Sequence, residues 1–418
     1  MRIAVVVQRY GADILGGAET HAALMAGILA RRHEVEVLTT TARDYHQWRE
    51  AYPAGASREN GVTVRRFAVA RGREDAWQVL NRLLHDGFTS SEFALLPEPV
   101  RAAHAERVRG WPDALQEAFI RGQGPHAPEL HEWLRRTPYD RVLFVTYLYP
   151  TTYDGLAAVP EGRAFVVPTL HDEAPAYLPV FGRRLARARL LCSTDTEVAL
   201  VSRLYPDTPI RARRIGYGIE LPPDRGPRPS GTDPFLLYAG RIDVQKGVPQ
   251  LLRWYAALRA ALPKPPRLVM IGELAMPVPS QPGVELRGFV AEDEKLRLMR
   301  DALALVHLSP YESLGIVLLE ALGSRTPVLV HADCAVMVEH CRRSGAGLWL
   351  RDAAEFAAAV GRLARDPELR TALGERGRRY VEREFALDAY AERLLAAFEQ
   401  DEPPASDDGG VGAHFTRP

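Results

Sequence analysis

Two glutamates eight positions apart, Glu312 and Glu320, interrupt the otherwise apolar and small stretch 311–330, YESLGIVLLEALGSRTPVLV. The pattern reads as strand, helix, strand: LALVHLSP closes a strand at Pro310, and a helix starts between Leu314 and Ile316 and runs to about Gly323. Glu312 then lies in the loop before the helix and Glu320 on the helix itself. The amides of Leu314, Gly315 and Ile316 open that helix without intrahelical acceptors, an arrangement that suits a phosphate, and Gly315 lets the backbone approach a ligand closely. A carboxylate beside such a site can accept hydrogen bonds from sugar hydroxyls. The plain alternative is that Glu312 favours the helix dipole and Glu320 is solvated.

A second stretch, YAGRIDVQKG at 238–247, ends a strand at Ala239, turns at Gly240, and places Arg241 and Lys246 near the next helix start. Two cations at strand and helix ends can bind a diphosphate without a metal. Surface salt bridging is the ordinary alternative. No Asp-x-Asp pair ends a strand, so no metal is expected; the nearest approach, STDTE at 193–197, reads as a helix N-cap. The loop YGADILGGAET at 10–20 carries the pair Gly16–Gly17, whose amides could reach phosphate or sugar, or merely form a turn and cap. It lacks the Gly-x-Gly-x-x-Gly fingerprint, which disfavours a dinucleotide dehydrogenase. His171 and Asp172 follow a strand in VVPTLHDEAPAY, where His171 could hydrogen-bond a sugar hydroxyl or serve structure alone.

The elements that must position these residues alternate. Apolar runs at 2–8, 34–40, 62–67, 141–147, 163–169 and 189–194 read as strands, with a helix over 16–32 that puts Ala18, Ala22, Met25 and Leu29 on one face. Continuous rather than alternating apolarity fits parallel strands covered on both sides. Residues 73–136 interrupt the rhythm with three helical patterns separated by Pro and Gly, a helical insertion. LPPDRGPRPSGTDP at 221–234 is a linker, after which strands recur at 235–241, 267–273, 284–289, 303–309, 326–331 and 346–350. From Asp352 to about Gln400 the chain reads as helical, and the polar tail 401–418 as disordered. The expected organisation is α/β: two doubly wound domains facing across a cleft, 1–220 and 235–384, a helix over 385–400, and ligands at the carboxyl ends of the strands.

Composition sets the outer bounds. Fifty-three basic residues balance 53 acidic ones, so the formal net charge of zero argues against bulk capture of nucleic acid or of an anionic membrane. Cys192, Cys334 and Cys341 are too few for a disulfide framework and read as packing residues. The sequence shows no secretory leader and no apolar run of about 18 residues, so a cytoplasmic protein is expected, with contact at the inner membrane face left open.

Together these residues resemble the retaining glycosyltransferases of family four, which have the GT-B fold. E312-SLGIVLL-E320 is similar to that family's E-x7-E motif, GRIDVQKG to its GR…KG segment, and GGAE to its Gly-Gly-x-Glu loop. FVTYLYPTTYDGL, VPTLHDEAPAYL and CAVMVEHCRRSGAGLWL resemble a bacterial branch of the family, and the likeness runs over roughly residues 1 to 400. The resemblance implies that Arg241 and Lys246 hold the diphosphate of a UDP- or GDP-sugar, with the amides of Gly17 and Leu314–Ile316 near its phosphates. It implies Glu312 and His171 at the donor sugar, Glu320 at the ribose, and Gly288, Phe289 and Val290 at the base. The 385–400 helix would cross back to the first domain. A hexosyl unit would pass to a glycan, lipid-linked glycan or small glycoside, with no cofactor; the oligomeric state is not implied. A nucleotide-sugar epimerase and a non-catalytic binding relative are the rival readings. The sequence departs from the family at Arg325, where Gly is usual, and at Ser313–Leu314, where Gly-Phe is frequent.

Overall fold

The structure, a computed structural model, describes residues 1–14, 16–88, 92–93, 96–229, 231 and 233–400; the tail 401–418 lies outside the described residues. The first domain is built on β1 (Arg2–Val6), β2 (Glu34–Thr40), β3 (Gly55–Glu59), β4 (Val62–Phe67), β5 (Arg141–Val145), β6 (Ala164–Val167), β7 (Arg189–Cys192) and β8 (Arg211–Arg214). They form one sheet in the order β3-β4-β2-β1-β5-β6-β7-β8, parallel except where β3 meets β4. The second domain carries β9 (Phe235–Ala239), β10 (Arg267–Ile271), β11 (Val284–Gly288), β12 (Ala304–His307), β13 (Val328–His331) and β14 (Gly347–Leu350), in the order β11-β10-β9-β12-β13-β14. The sequence reading misses β3 and β8. Both are edge strands, GASRE and RARR, and neither carries the apolar run that marks a covered strand.

Each sheet buries both faces. Val6, Phe144 and Val166 point into one core, Val5, Val145 and Phe165 into the other. The helix Gly17–Leu29 adds Ala22, Met25, Ala26 and Leu29, whereas Ala18 is only partly buried. Between β4 and β5 run the helices Asp75–Leu84, Glu98–Arg109, Asp113–Gln123 and Pro128–Arg136. The helix Leu387–Glu399 follows the second domain in sequence but belongs to the first domain's core: Tyr390, Leu394 and Phe398 are buried there, and Phe398 stacks on Phe165 with centroids 4.5 Å apart. Full burial of each such side chain contributes about 2 kcal/mol, so this crossing helix fastens the two domains together.

The strand order positions the site. β1 lies between β2 and β5, and β9 between β10 and β12, so each sheet has its topological switch point at its first strand. The carboxyl ends of β1, β9 and β12 therefore deliver the loops 7–14, 240–247 and 308–315 to the cleft.

Candidate active site

A cavity of about 450 Å³ opens between the domains, lined by Gly17, His21, Thr169, His171, Ser193, Glu197 and Tyr217 on one side and by Gly240, Lys246, His307, Glu312 and residues 313–317 on the other. On the second-domain wall the Lys246 Nζ lies 2.6 Å from the Glu312 Oε1. The two loops can meet because Gly247 has φ +72° and sits against Leu308; a Cβ there would fall 2.2 Å from the Leu308 carbonyl oxygen. Lys246 is further held by its amide, which donates to the Asp243 Oδ1 at 3.0 Å. The His307 Nε2 stands 3.6 Å from the same Glu312 oxygen. Burial lowers the His307 imidazole and Lys246 lowers it further, while Glu312 opposes both.

The helix Ile316–Gly323 starts at Gly315, which has φ +74°. Among the described residues the amides of Leu314, Gly315 and Ile316 meet no protein acceptor. These residues line the cavity beside Glu312 and Lys246, so unpartnered N–H donors, an ammonium group and a carboxylate belong to one wall.

The first-domain wall is organised by buried carboxylates. Glu173 accepts from the Tyr147 hydroxyl at 2.7 Å and from the Tyr311 hydroxyl at 3.0 Å, and the His171 Nδ1 lies 3.8 Å away. Burial pushes the Glu173 carboxyl up, but His171 and the two tyrosines outweigh it and hold the group below the usual carboxylate range. The His171 ring stacks on Tyr311 with centroids 4.6 Å apart, so a residue of the second domain fixes the imidazole of the first. Glu197 accepts from the amides of Leu170 at 2.8 Å and Ser193 at 2.7 Å, tying the loop after β6 to the loop after β7. Burial pushes its carboxyl up to about 7 against those two amides and His171. The buried His21 donates to or accepts from the Tyr390 hydroxyl at 2.8 Å, and burial takes its imidazole down to about 3.

Of the residues singled out by sequence, Gly17, His171, Gly240, Lys246, Glu312, Leu314, Gly315 and Ile316 border this cavity. The structure does not bring the others to it. Arg241 turns to Asp243, with Nε 2.5 Å from Oδ2 and a side chain 44% exposed, because a carboxylate two residues on captures the guanidinium. Gly16 packs against Glu19, whose Oε2 would lie 1.9 Å from an added Cβ. Glu320 accepts from the Lys295 Nζ at 2.9 Å on the flank of the helix. Gly288 ends β11, Val290 packs partly buried on the second domain's core, and Phe289 is 88% exposed. Sequence reasoning missed His21, Thr169, Ser193, Glu197, Tyr217 and His307. Only Glu197 carried a signal, as the fourth residue of a capping box: the Thr194 hydroxyl oxygen accepts from the Glu197 amide at 3.0 Å.

With this geometry in place, comparison with known proteins is informative. Residues 224–380 match the family model "Glycosyl transferases group 1". An α-D-kanosaminyltransferase of Streptomyces kanamyceticus is 27% identical over 223 residues, which take in 48% of this chain and 53%, about half, of that relative. Two solved structures align over almost the whole chain. The sucrose-phosphate synthase of Thermosynechococcus elongatus gives a TM-score of 0.63 at 18% identity, covering 95% of this chain and 98% of that one. An E. coli trehalose-6-phosphate protein bound with UDP-2-fluoro glucose gives 0.66 at 12% identity, covering 96% and 99%. The chain has the GT-B fold, two Rossmann-like domains facing across a cleft. Among the described residues no helix is long and apolar enough to cross a membrane.

Proposed function

We propose that this chain is a retaining glycosyltransferase that moves a hexosyl unit from a nucleoside diphosphate sugar to a hydroxyl acceptor, without a metal. The single observation that carries the proposal is the Lys246–Glu312 pair at 2.6 Å beside the unpartnered amides of Leu314, Gly315 and Ile316, in a cavity walled by both domains. The family-model match over 224–380 spans every second-domain member of that group and supports the same reading. So does the UDP-2-fluoro glucose held by one protein of similar fold.

In this reading the diphosphate lies on the helix start and on Lys246, and the sugar hydroxyls lie at Glu312 and His171. Glu320 with Lys295 takes the ribose, and residues 288–290 border the base. Arg241 joins the diphosphate only by rotating off Asp243, so Lys246 and the amides carry most of the task. Negative charge grows on the leaving phosphate as the anomeric carbon–oxygen bond breaks, so these donors stabilise the transition state more than the ground state. The acceptor oxygen bonds to the anomeric carbon on the face of departure, and its proton passes to the departing phosphate oxygen. Closure of the domains excludes water.

The test is incubation of the full chain with a panel of UDP- and GDP-sugars and sugar acceptors, with and without chelator, and NMR of the products. The expected product keeps the donor's anomeric configuration, and chelator leaves the rate unchanged. Lys246→Ala is expected to lower turnover about 100-fold. An inverted product, a need for Mg²⁺ or Mn²⁺, conversion of donor without an acceptor, or undiminished turnover in Lys246→Ala would each remove a stated part of the proposal.

A further inference from the structure

A second space of about 670 Å³ lies across the same loops from the first cavity. The two share a wall: Lys246 and His307 border the donor cavity, while their neighbours Gly247 and Leu308 border this groove. Leu96, Pro97 and Val244 make much of its remaining surface apolar. Two arginines line it, Arg101 from the first domain's helix Glu98–Arg109 and Arg253 from the second domain's helix Val248–Ala261.

Neither arginine has a carboxylate partner among the described residues, whereas Lys246 and Arg241 on the loop between them are each ion-paired. Arg253 donates only to the Gln250 side chain. The Arg101 side chain makes no hydrogen bond to any described residue, and its Nε is buried. A buried guanidinium N–H without an acceptor is costly, and native structures fill such positions with protein, water or ligand. Two carboxylates also border the groove: Asp333, 79% exposed and turned to solvent with its amide donating to the His331 Nδ1 at 3.2 Å, and Glu98, in the first turn of its helix, where the dipole favours it. On its other side Arg101 borders a smaller space of about 320 Å³ where Arg203 is committed to Asp172 at 2.8 Å.

We propose that the groove is a second subsite in which Arg101 and Arg253, one from each domain, take a phosphate or carboxylate group of the acceptor. This rests on the glycosyl-transfer reading above for the word acceptor, but not for the anion. A planar fork from each side matches either oxyanion in bidentate fashion. Because the two forks sit on different domains, the anion also ties the domains together beside the donor, so an acceptor lacking it binds and closes less well.

The test uses the full chain and inorganic phosphate at constant ionic strength, read by thermal unfolding and calorimetry. The wild type should show saturable stabilisation, Arg101→Gln and Arg253→Gln should each weaken binding about tenfold, and the double variant should lose it. Lys246→Ala should keep the phosphate response while losing the response to UDP or GDP. Arginine variants that bind phosphate as the wild type does, or a response lost only in Lys246→Ala, would overturn the proposal by assigning the anion to the donor cavity. Absence of any nucleotide response, with phosphate still following the two arginines, would sink the glycosyl-transfer reading and leave the anion site standing. Glucose 1-phosphate and glucuronate, against neutral glucose, distinguish the two oxyanions; equal binding of both charged sugars by wild type and double variant also counts against the site. Circular dichroism of each variant checks that the fold is intact.

Discussion

Glu312 and Glu197 border one cavity from opposite domains, and the protein treats them differently. Glu312 has a full positive charge 2.6 Å away on Lys246. Glu197 has backbone dipoles alone for hydrogen-bond partners, the amides of Leu170 and Ser193, and burial pushes it up to about 7. The contrast teaches that the second domain gives its carboxylate a counter-charge at the cavity wall, while the first uses its carboxylate to pin the loop that carries His171.

The largest way to break that contrast is through pH. Between about 4.5 and 7 the folded state keeps the Glu197 proton that the unfolded chain has released, so stability should fall as pH rises through this window. The contribution is complete below pH 4.5 and gone above about 7, a swing of about 3 kcal/mol. Glu197→Gln cannot titrate, so subtracting its denaturant-derived stability from that of the wild type should isolate the swing between pH 5 and 8. A flat difference would mean that the two amides hold Glu197 ionised, and the contrast with Glu312 would collapse.

The next effect sharpens the contrast by making Glu312 resemble Glu197. Lys246→Met removes the ammonium and leaves a carboxylate only 12% exposed with His307 as its remaining neighbour. Turnover should drop about 100-fold, and unfolding should gain a new loss of stability with rising pH, because a buried carboxylate without a counter-charge favours its proton. A variant whose pH–stability curve overlays that of the wild type would show that the ion pair does not set the state of Glu312.

The difference between the walls also explains what the sequence could reveal. Apart from His307, the second-domain wall is written in two short stretches, 238–247 and 311–320, where strand end, glycine, cation and helix start follow one another, so local rules recover it. The first-domain wall is assembled from Gly17, His21, Thr169, His171, Ser193, Glu197 and Tyr217, brought together only by the order β1-β5-β6-β7. STDTE is legible as a helix cap, and Thr194 does cap; that the Glu197 carboxylate also reaches Leu170 depends on β6 lying beside β7. Arg241 shows the converse. Its motif is local and visible, yet its direction is decided by competition with Asp243, which spacing alone does not rank. Arg101 and Arg253 lie in separate helices with no pattern to join them; only their placement on one groove does.

The smallest expected effect tests an ion pair with partly exposed partners at the far end of the helix Ile316–Gly323. Arg325, where the resemblance leads one to expect Gly, adopts φ +63°. Its amide donates to the Leu322 carbonyl at 3.1 Å, and the Thr326 amide to the Ala321 carbonyl at 2.9 Å, the paired closure that asks for a left-handed residue. The side chain meets Asp224 of the linker at 2.8 and 3.0 Å and also pairs with Glu375, partners that are 48% and 40% exposed. Arg325→Gly and Arg325→Ala lose the same ion pairs and differ only in the backbone. Glycine relieves the left-handed strain and alanine keeps it, so the Gly variant should be the more stable by about 1 kcal/mol in chemical unfolding. Equal stabilities would mean that the helix end relaxes once the side chain is gone, and that the ion pairs to Asp224 and Glu375 impose the left-handed turn instead of compensating for it.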